Sequence, residues 1–329
     1  MSLAQRHRAY RRFSWILLVY TIAVILWGTF VRASLSGDGC GEHWPLCNGQ
    51  VLPVEAALKT WIELTHRVTS GIAWIASLVL LLWARRVWPA PHPTRRYAAW
   101  AFVFMCTESL VGAALVLLRL VADNPDFARA YWMGAHLINT FLLLSALAFA
   151  ALTASGARPW RLRGHPFGAL LATAGLAILL VGMTGAVTAL GDTVFRPTTE
   201  SSFGEKIDHA QQALGQLGAR AGQEESHATD THIFVQLRVI HPLLALATAA
   251  FMLFMSGSIL GRVSDRVLRQ LAMGISALVL VQVGIGFLNV AWLAPVWLQL
   301  VHLFVADAIW ISLMALWAWS GPEERMAPP

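Results

Sequence analysis

Four histidines recur at equivalent places in the apolar segments of this sequence, and one of them has a glutamate close by. The four are His66, His136, His241 and His302. Glu63 precedes His66 by three residues, so that the carboxylate and the imidazole lie on one face of a helix. Ionisable side chains are costly in hydrocarbon and usually mark a functional site there. The pattern therefore predicts a site inside the membrane that is built on four imidazoles.

The composition indicates a polytopic membrane protein. Of the 329 residues, 57% are hydrophobic and 13% are charged, whereas soluble domains carry about 25% charged residues. A net charge of +6 could suit nucleic acid, but the arginines lie in short loops between apolar runs. That distribution is typical of the cytoplasmic loops of membrane proteins. Membrane lipid is therefore the expected surrounding, and nucleic acid is not expected as a partner.

Eight apolar runs of about 20 residues predict eight transmembrane helices. They lie approximately at 13–32, 61–84, 97–118, 131–154, 167–190, 232–257, 268–291 and 297–319. Lysine and arginine divide fifteen to seven between the two sides, which predicts that both termini are cytoplasmic. Each even-numbered helix then starts at the outer face, and its histidine follows roughly 5–10 residues later, at about 1.5 Å per residue. The four imidazoles are expected at one depth.

The two halves of the chain resemble each other. Residues 28–38 end the first apolar run and residues 182–192 end the fifth, and both segments begin with Gly and finish with Gly-Asp. Four helices per unit is an even number, so the two units are expected to be parallel repeats. We therefore predict an all-α fold of two parallel four-helix-bundle repeats, at 1–156 and 157–329.

Neutral imidazole is a common axial ligand of haem iron. A porphyrin needs two opposed ligands and an apolar slot, which two helices with one histidine each can provide twice over. The natural pairs are His66 with His136 and His241 with His302. Zinc and copper are disfavoured because no cysteine or second histidine stands within one turn of any of the four. Respiratory cytochrome b, with two histidines on each of two helices, is also disfavoured. The alternative is that these histidines only bridge helices by hydrogen bonds.

The two predicted pockets differ in the charged residues beside the histidines. Arg238 precedes His241 by three residues, where the first half has Glu63. An arginine there would pair with a haem propionate, and Arg67 could do the same in the first half. Glu63 would serve either as a general base or as a carboxylate that orients a ligand histidine. We favour the catalytic role.

Cys40 and Cys47 share an outer loop and are separated by six residues. A local disulfide is expected on the oxidising side of a membrane, with either a structural or an electron-relaying role. Cys106 lies inside an apolar run and is expected to be an inert thiol. For Glu108 and Asp307, also inside apolar runs, helix-bridging hydrogen bonds are favoured over a proton path. Three histidines in the polar segment 191–231 and just after it are not expected to bind metal.

Together these features resemble the haem A synthases. The resemblance covers essentially the whole chain, and its most specific segments are Gly39–Cys47 and Glu63–Arg67. It implies oxidation of the C8 methyl of haem O to a formyl group by successive hydroxylations. The N-terminal half would bind haem O, and the C-terminal half would hold a haem b cofactor. Some members carry a second cysteine pair between helices five and six, which this chain lacks.

The resemblance also implies roles for the individual residues. His66 and His136 would ligate the substrate haem, and His241 and His302 would ligate haem b. Glu63 would be the catalytic carboxylate, and Cys40 with Cys47 would form the outer-loop disulfide, with a redox role implied.

The resemblance further implies the partners and the location. A haem O synthase would be the donor of the substrate, and the chain would act with the cytochrome oxidase assembly machinery. It would lie in the plasma membrane, with its haem sites toward the outer face.

Other functions remain open from the sequence. A di-haem cytochrome or quinol oxidoreductase subunit would use the same four histidines but needs no Glu63. A haem-handling assembly factor would bind haem without altering it. Within a synthase, oxygen could react at the substrate iron, or water could be the nucleophile while electrons leave through the second haem. A carboxylate beside one pocket and an arginine beside the other favour the second route.

Overall fold

The computed structural model describes residues 2–53, 56–122, 124, 126–194 and 233–321, without the side chains of 127, 191–194 and 233–239. Within these ranges the chain forms eight α-helices and no strand, and each helix is long and apolar enough to cross a membrane. The helices are α1 Leu3–Ala33, α2 Leu58–Val87, α3 Pro93–Leu117, α4 Phe127–Ala154, α5 Gly168–Val194, α6 Ile233–Leu260, α7 Arg266–Ala291 and α8 Val296–Ser320. The prediction of an all-α protein with eight membrane-spanning helices is confirmed.

The first helix starts about ten residues earlier than the hydropathy pattern predicts. Ser2 forms a capping box, in which its hydroxyl accepts from Gln5 N–H at 3.3 Å and its own N–H donates to Gln5 Oε1 at 2.8 Å. The capped turn carries the N-terminal arginines as part of α1, because polar residues are compatible with a helix that extends beyond the hydrocarbon. The other helices begin and end within a few residues of the predicted runs.

The helices pack as two four-helix groups. Neighbouring helices contact each other along the chain within α1–α4 and within α5–α8, and α1 with α4 and α5 with α8 complete the two groups. Contacts of α4 with α5 and α8, and of α1 with α8, join the groups. Trp310 on α8 donates its indole N–H to Phe141 O and to Ser145 Oγ on α4, both at 2.9 Å. The exact boundary between repeats, 156 and 157, stays a prediction.

The connection between α4 and α5 is fastened to the end of α8. His165 Nδ1 accepts the N–H of Phe167 at 3.1 Å, and His165 Nε2 lies 3.2 Å from Trp317 O, to which it donates. Trp317 in turn donates its indole N–H to Arg161 O at 3.0 Å. These bonds require a neutral imidazole with the proton on Nε2. Burial lowers the pKa of His165 from its ordinary 6.5, and the hydrogen bond to Trp317 O opposes part of that shift.

Acid should therefore weaken the fold through His165. A pKa that is lower in the folded state means that the unfolded chain binds the proton more readily. The stabilisation is then present above about pH 6.5 and is lost as the pH falls toward the folded-state pKa. We expect the apparent Tm in detergent to fall between about pH 7.5 and pH 5.5. In His165→Asn, which keeps an acceptor for Phe167 N–H but does not titrate, the fall should be smaller. An equal fall in both proteins would contradict this assignment.

Candidate functional site

The loop between α1 and α2 carries a disulfide that is buried against α2. Cys40 and Cys47 are bonded to each other, are 0% and 1% exposed, and pack with Leu64. Thr60 Oγ1 donates to Gly39 O at 2.7 Å, and a Cβ at Gly39 would lie 2.5 Å from the backbone of Lys59. Only glycine permits this approach of loop to helix. The predicted disulfide is therefore present, and the loop is locked to the first turn of α2.

Glu63 and Arg67 form the second connection between this loop and α2. Glu63 is 4% exposed, and its Oε2 accepts the N–H of Cys40 at 2.8 Å. Its Oε1 pairs with Arg67, at 2.5 Å from Nη2 and 3.1 Å from Nε. Arg67 Nη1 donates to the carbonyls of His43 and Leu46 at 2.6 and 2.8 Å. Four of the five N–H donors of Arg67 are thereby used, which leaves one for the haem propionate that the sequence analysis assigned to it.

The four predicted histidines all lie near the start of an even-numbered helix. They follow the first residue of their helices by six to nine positions: 58 to 66, 127 to 136, 233 to 241 and 296 to 302. The equal-depth prediction thus has a structural counterpart. All four line one shared cavity.

In the first half, His66 packs against the backbone of α1. A Cβ at Gly28 would lie 2.8 Å from His66 Cε1 and 3.0 Å from Nε2, so a larger residue there would displace the ring. The Nδ1 of His66 is buried and has no hydrogen-bond partner among the described residues. Opposite, His136 Nδ1 lies 3.3 Å from Glu108 Oε1.

The second half repeats the arrangement around His241 with another glycine. A Cβ at Gly185 would lie 2.9 Å from His241 Cε1, and Thr184 Oγ1 lies 3.2 Å from His241 Nδ1. The repeat register predicted from the sequence instead matches Gly28 with Gly182, which lies one turn before Gly185. Gly182 packs against α4, where a Cβ would come within 3.0 Å of Leu137 and Phe141. It therefore serves the contact between the halves.

Some of the remaining predicted residues lie within the described part of the chain, and others lie outside it. His302 Nε2 lies 3.3 Å from Gln282 Nε2, while its Nδ1 is buried without a partner in the described part of the chain. The side chain of Arg238 lies outside the described residues, as do the histidines of the segment 195–232. Glu108 does bridge helices, as favoured. Asp307 is 1% exposed, yet neither of its oxygens has a hydrogen-bond partner among the described residues, so the helix-bridging interpretation is wrong for it.

The cavity that the histidines line has a volume of about 1940 Å³ and a mostly apolar wall. Pockets for a single small ligand or cofactor commonly measure about 300–1,000 Å³, so this one has room for two. Glu63, Arg67 and Glu108 also line it. Helices of both four-helix groups contribute to its wall, so the two predicted haem pockets would both open into this cavity.

Two arginines of the cavity wall were not identified as site residues from the sequence. Arg32 donates from Nη2 to Gln299 Oε1 at 2.7 Å and from Nη1 to Ala189 O at 2.9 Å. Arg129 is 2% exposed and donates to Asn124 O at 3.0 Å. The helical spacing could have identified them, because Arg32 follows Gly28 by four residues and Arg129 precedes His136 by seven. Both spacings put the side chains on the cavity face of their helices.

These residues fit a porphyrin better than a bare metal ion. In the described part of the chain, no three His, Cys, Asp or Glu side chains converge as a metal centre. The four imidazoles instead line one cavity, two from each half. Buried ring nitrogens without protein partners call for a further partner, and an apolar slot with two axial imidazoles is how proteins hold haem.

Comparison with known proteins identifies the family to which the chain belongs. The model of a family described as cytochrome oxidase assembly protein, COX15-CtaA, matches residues 11–314. An Exiguobacterium protein named "Heme A synthase" is 26% identical over 305 residues, covering 91% of this chain and 89% of the relative. A second "Heme A synthase", from Geobacillus kaustophilus, is 39% identical over 144 residues, covering 42% of this chain and 44% of the relative.

A further relative carries a different name. A Thermus thermophilus protein named "Protoheme IX farnesyltransferase" is 43% identical over 305 residues, which cover 92% of this chain and 47% of the relative. The chain thus spans about half the length of the Thermus relatives that it matches. The family model, in contrast, matches the chain across all eight helices. On this evidence the chain belongs to the COX15-CtaA family of cytochrome oxidase assembly proteins.

Proposed function

We propose that this protein is a haem A synthase, an oxidoreductase that converts the C8 methyl of haem O to a formyl group by successive hydroxylations. The observation that carries the proposal is the presence of four imidazoles around one mostly apolar cavity, which the buried carboxylate of Glu63 also lines. Two relatives of the chain are named for this synthase. A protein that only transfers electrons does not need a proton acceptor such as Glu63 at its haem.

The histidines divide the work between substrate and cofactor. His66 and His136 hold haem O in the first half, and His241 and His302 hold haem b in the second. Haem iron supplies the redox chemistry that oxidation of an unactivated methyl group requires and that side chains lack. Arg32 and Arg129 place positive charge on the cavity wall, where haem propionates are stabilised. Arg238 remains a proposed propionate partner of the second haem.

In this proposal Glu63 is the proton acceptor at the cavity wall. A carboxylate offers about four lone-pair positions, and the contacts to Cys40 N–H and to two nitrogens of Arg67 use three of them. The remaining position, on Oε2, accepts a hydrogen bond from water or from a hydroxyl group at the substrate edge. The fixed partners hold this oxygen in one place, which is what a general base requires.

The disulfide has a structural role in this proposal. Exposed disulfides exchange readily with external thiols, whereas buried ones do not. Cys40 and Cys47 are almost completely shielded, and the N–H of Cys40 holds Glu63. The disulfide therefore fixes the loop that in turn fixes the carboxylate.

The substrate and the location suggest the partners. Haem O is a farnesylated haem, and a Thermus relative is named as a farnesyltransferase acting on protohaem IX. We therefore propose a haem O synthase as the donor of the substrate and the cytochrome oxidase assembly machinery as the recipient pathway. The excess of arginine on one side supports the proposal that both termini are cytoplasmic and that the haem sites lie toward the outer face of the plasma membrane.

Product analysis tests the function directly. The chain is co-expressed with a haem O synthase, and the extracted haems are separated by liquid chromatography with mass detection. Haem A, or its hydroxymethyl precursor, should appear only when this chain is present. Unchanged haem O together with bound haem in the purified protein would instead indicate a di-haem cytochrome or a haem carrier.

Replacing Glu63 should stop the reaction without emptying the second pocket. Glu63→Gln keeps an oxygen for Cys40 N–H but removes the charge and the proton acceptor, so haem A formation should fall by about 10²–10⁴-fold. The absorption spectrum of the haem held by His241 and His302 should persist. Near-normal haem A formation would remove Glu63 from the catalytic role.

Removing one histidine at a time should empty the two pockets independently. His241→Ala and His302→Ala should each lose the low-spin b-type signal, because six-coordinate haem needs both imidazoles. The haem content of the first pocket should remain. His66→Ala and His136→Ala are the matched controls and should show the reverse. Retention of the b-type signal in both second-half variants would disprove the pairing.

Thiol labelling should distinguish the three cysteines. In the native protein without reductant, a maleimide has only Cys106 as a free thiol, and that residue is partly buried. After denaturation and reduction, two further thiols should react, because Cys40 and Cys47 are released. Labelling of all three without reductant would show that the disulfide does not persist in the isolated protein.

A further inference from the structure

Glu108 on α3 stands at the centre of a partly buried polar network that does not include Glu63. Its Oε1 accepts from Thr140 Oγ1 at 2.5 Å and lies 3.3 Å from His136 Nδ1. Its Oε2 accepts a short hydrogen bond from Asn139 Nδ2. Thr140 and Asn139 approach as donors, which is the environment of an acceptor-only carboxylate. Oε1 also faces one ring nitrogen of a histidine that holds the substrate haem in the proposed function.

The network around Glu108 is itself held rigidly. Asn139 Nδ2 also donates to Phe104 O at 2.9 Å, and Asn139 Oδ1 accepts from Thr107 Oγ1 at 2.6 Å. Thr140 Oγ1 is also 2.9 Å from His136 O. A polar side chain with this many fixed partners in the protein interior is held in one orientation. Glu108 therefore has little freedom to leave His136.

The second half has an uncharged side chain at the equivalent position. Gln282 precedes Gly286 by four residues, as Glu108 precedes Gly112, and its Nε2 lies 3.3 Å from Nε2 of His302, whereas Glu108 faces Nδ1 of His136. An amide carries no net charge. Three residues support Glu108 in the first half: Thr107, Asn139 and Thr140. Counting from Gln282, the counterpart of Thr107 is Val281. Counting from His302, the counterparts of Asn139 and Thr140 are Val305 and Ala306. The polar network is therefore confined to one pocket.

A carboxylate hydrogen-bonded to a ligand histidine fixes its ring orientation and raises its basicity. Its negative charge, a few ångströms away, also favours the more positive ferric state of the iron over the ferrous state. We propose, on the basis of the proposed function, that Glu108 is a positioning residue that lowers the reduction potential of the haem held by His66 and His136 relative to that of the second haem. Gln282 leaves the second potential high. With haem bound in both pockets, this difference in charge would favour transfer of an electron from the first haem to the second.

The test exchanges the two side chains. Redox titrations are made on the full-length, haem-loaded protein, in a His241→Ala background for the first pocket and a His66→Ala background for the second. Glu108→Gln should raise the midpoint potential of the first haem, and Gln282→Glu should lower that of the second. Haem affinity or haem A formation in Glu108→Gln should fall by about 10–100-fold. A bound first haem with an unchanged midpoint in Glu108→Gln overturns the proposal.

Thr140→Val provides a second variant if Glu108→Gln does not accumulate. It removes the hydroxyl that shares Oε1 with His136, so more of the negative charge acts on the imidazole and the midpoint should move down. A rise or no change overturns the proposal. The midpoint potential is measured independently of haem A formation. If the variants shift the midpoint but the protein forms no haem A, the synthase proposal fails and the role of Glu108 stands. If the protein forms haem A but the variants leave the midpoint unchanged, the role of Glu108 fails and the synthase proposal stands.

Discussion

An imidazole or a carboxylate inside an apolar helix bundle costs free energy unless it finds a partner. This constraint explains most of the polar contacts in the protein. Glu63 is paired with Arg67, Glu108 with Asn139 and Thr140, and His241 with Thr184. The exceptions are informative, because ring nitrogens of His66 and His302 are buried without a protein partner within the described chain. Under the proposed function, haem iron and the groups around it meet that need.

The same constraint couples the outer loop to the membrane site. Glu63 could not lie 4% exposed near the hydrocarbon without donors, and the loop supplies one of them through Cys40 N–H. Arg67, the other donor, is held by two loop carbonyls. The disulfide, the close approach at Gly39 and the carboxylate therefore form one structure. Opening the loop would expose the cavity and release Glu63 together.

Much of the architecture could be predicted from sequence, because hydrocarbon imposes a simple rule on span length and polarity. The eight helices and the equal depth of the histidines follow from that rule. It does not fix side-chain partners, so Arg67 was assigned to a propionate although four of its donors are used within the protein. Nor does it fix helix register, which is why Gly182 was aligned with Gly28 while Gly185 takes the contact with histidine. Asp307 was expected to bridge helices, and nothing in its spacing showed that a partner was missing.

The two halves share the packing of a glycine against a histidine but differ in the charged side chains near it. Both place a glycine of the odd helix against a histidine of the even helix, as Gly28 with His66 and Gly185 with His241. Packing therefore requires glycine in both, whereas it does not require charge in either. The carboxylates that line the shared cavity, Glu63 and Glu108, nonetheless both lie in the first half, whereas the buried Asp307 of the second half is not among the lining residues. Valine, alanine and glutamine stand at the second-half counterparts of the Glu108 network. Since a charge inside a protein is maintained at a cost in stability, the restriction of the cavity's carboxylates to one half is best explained by chemistry done there.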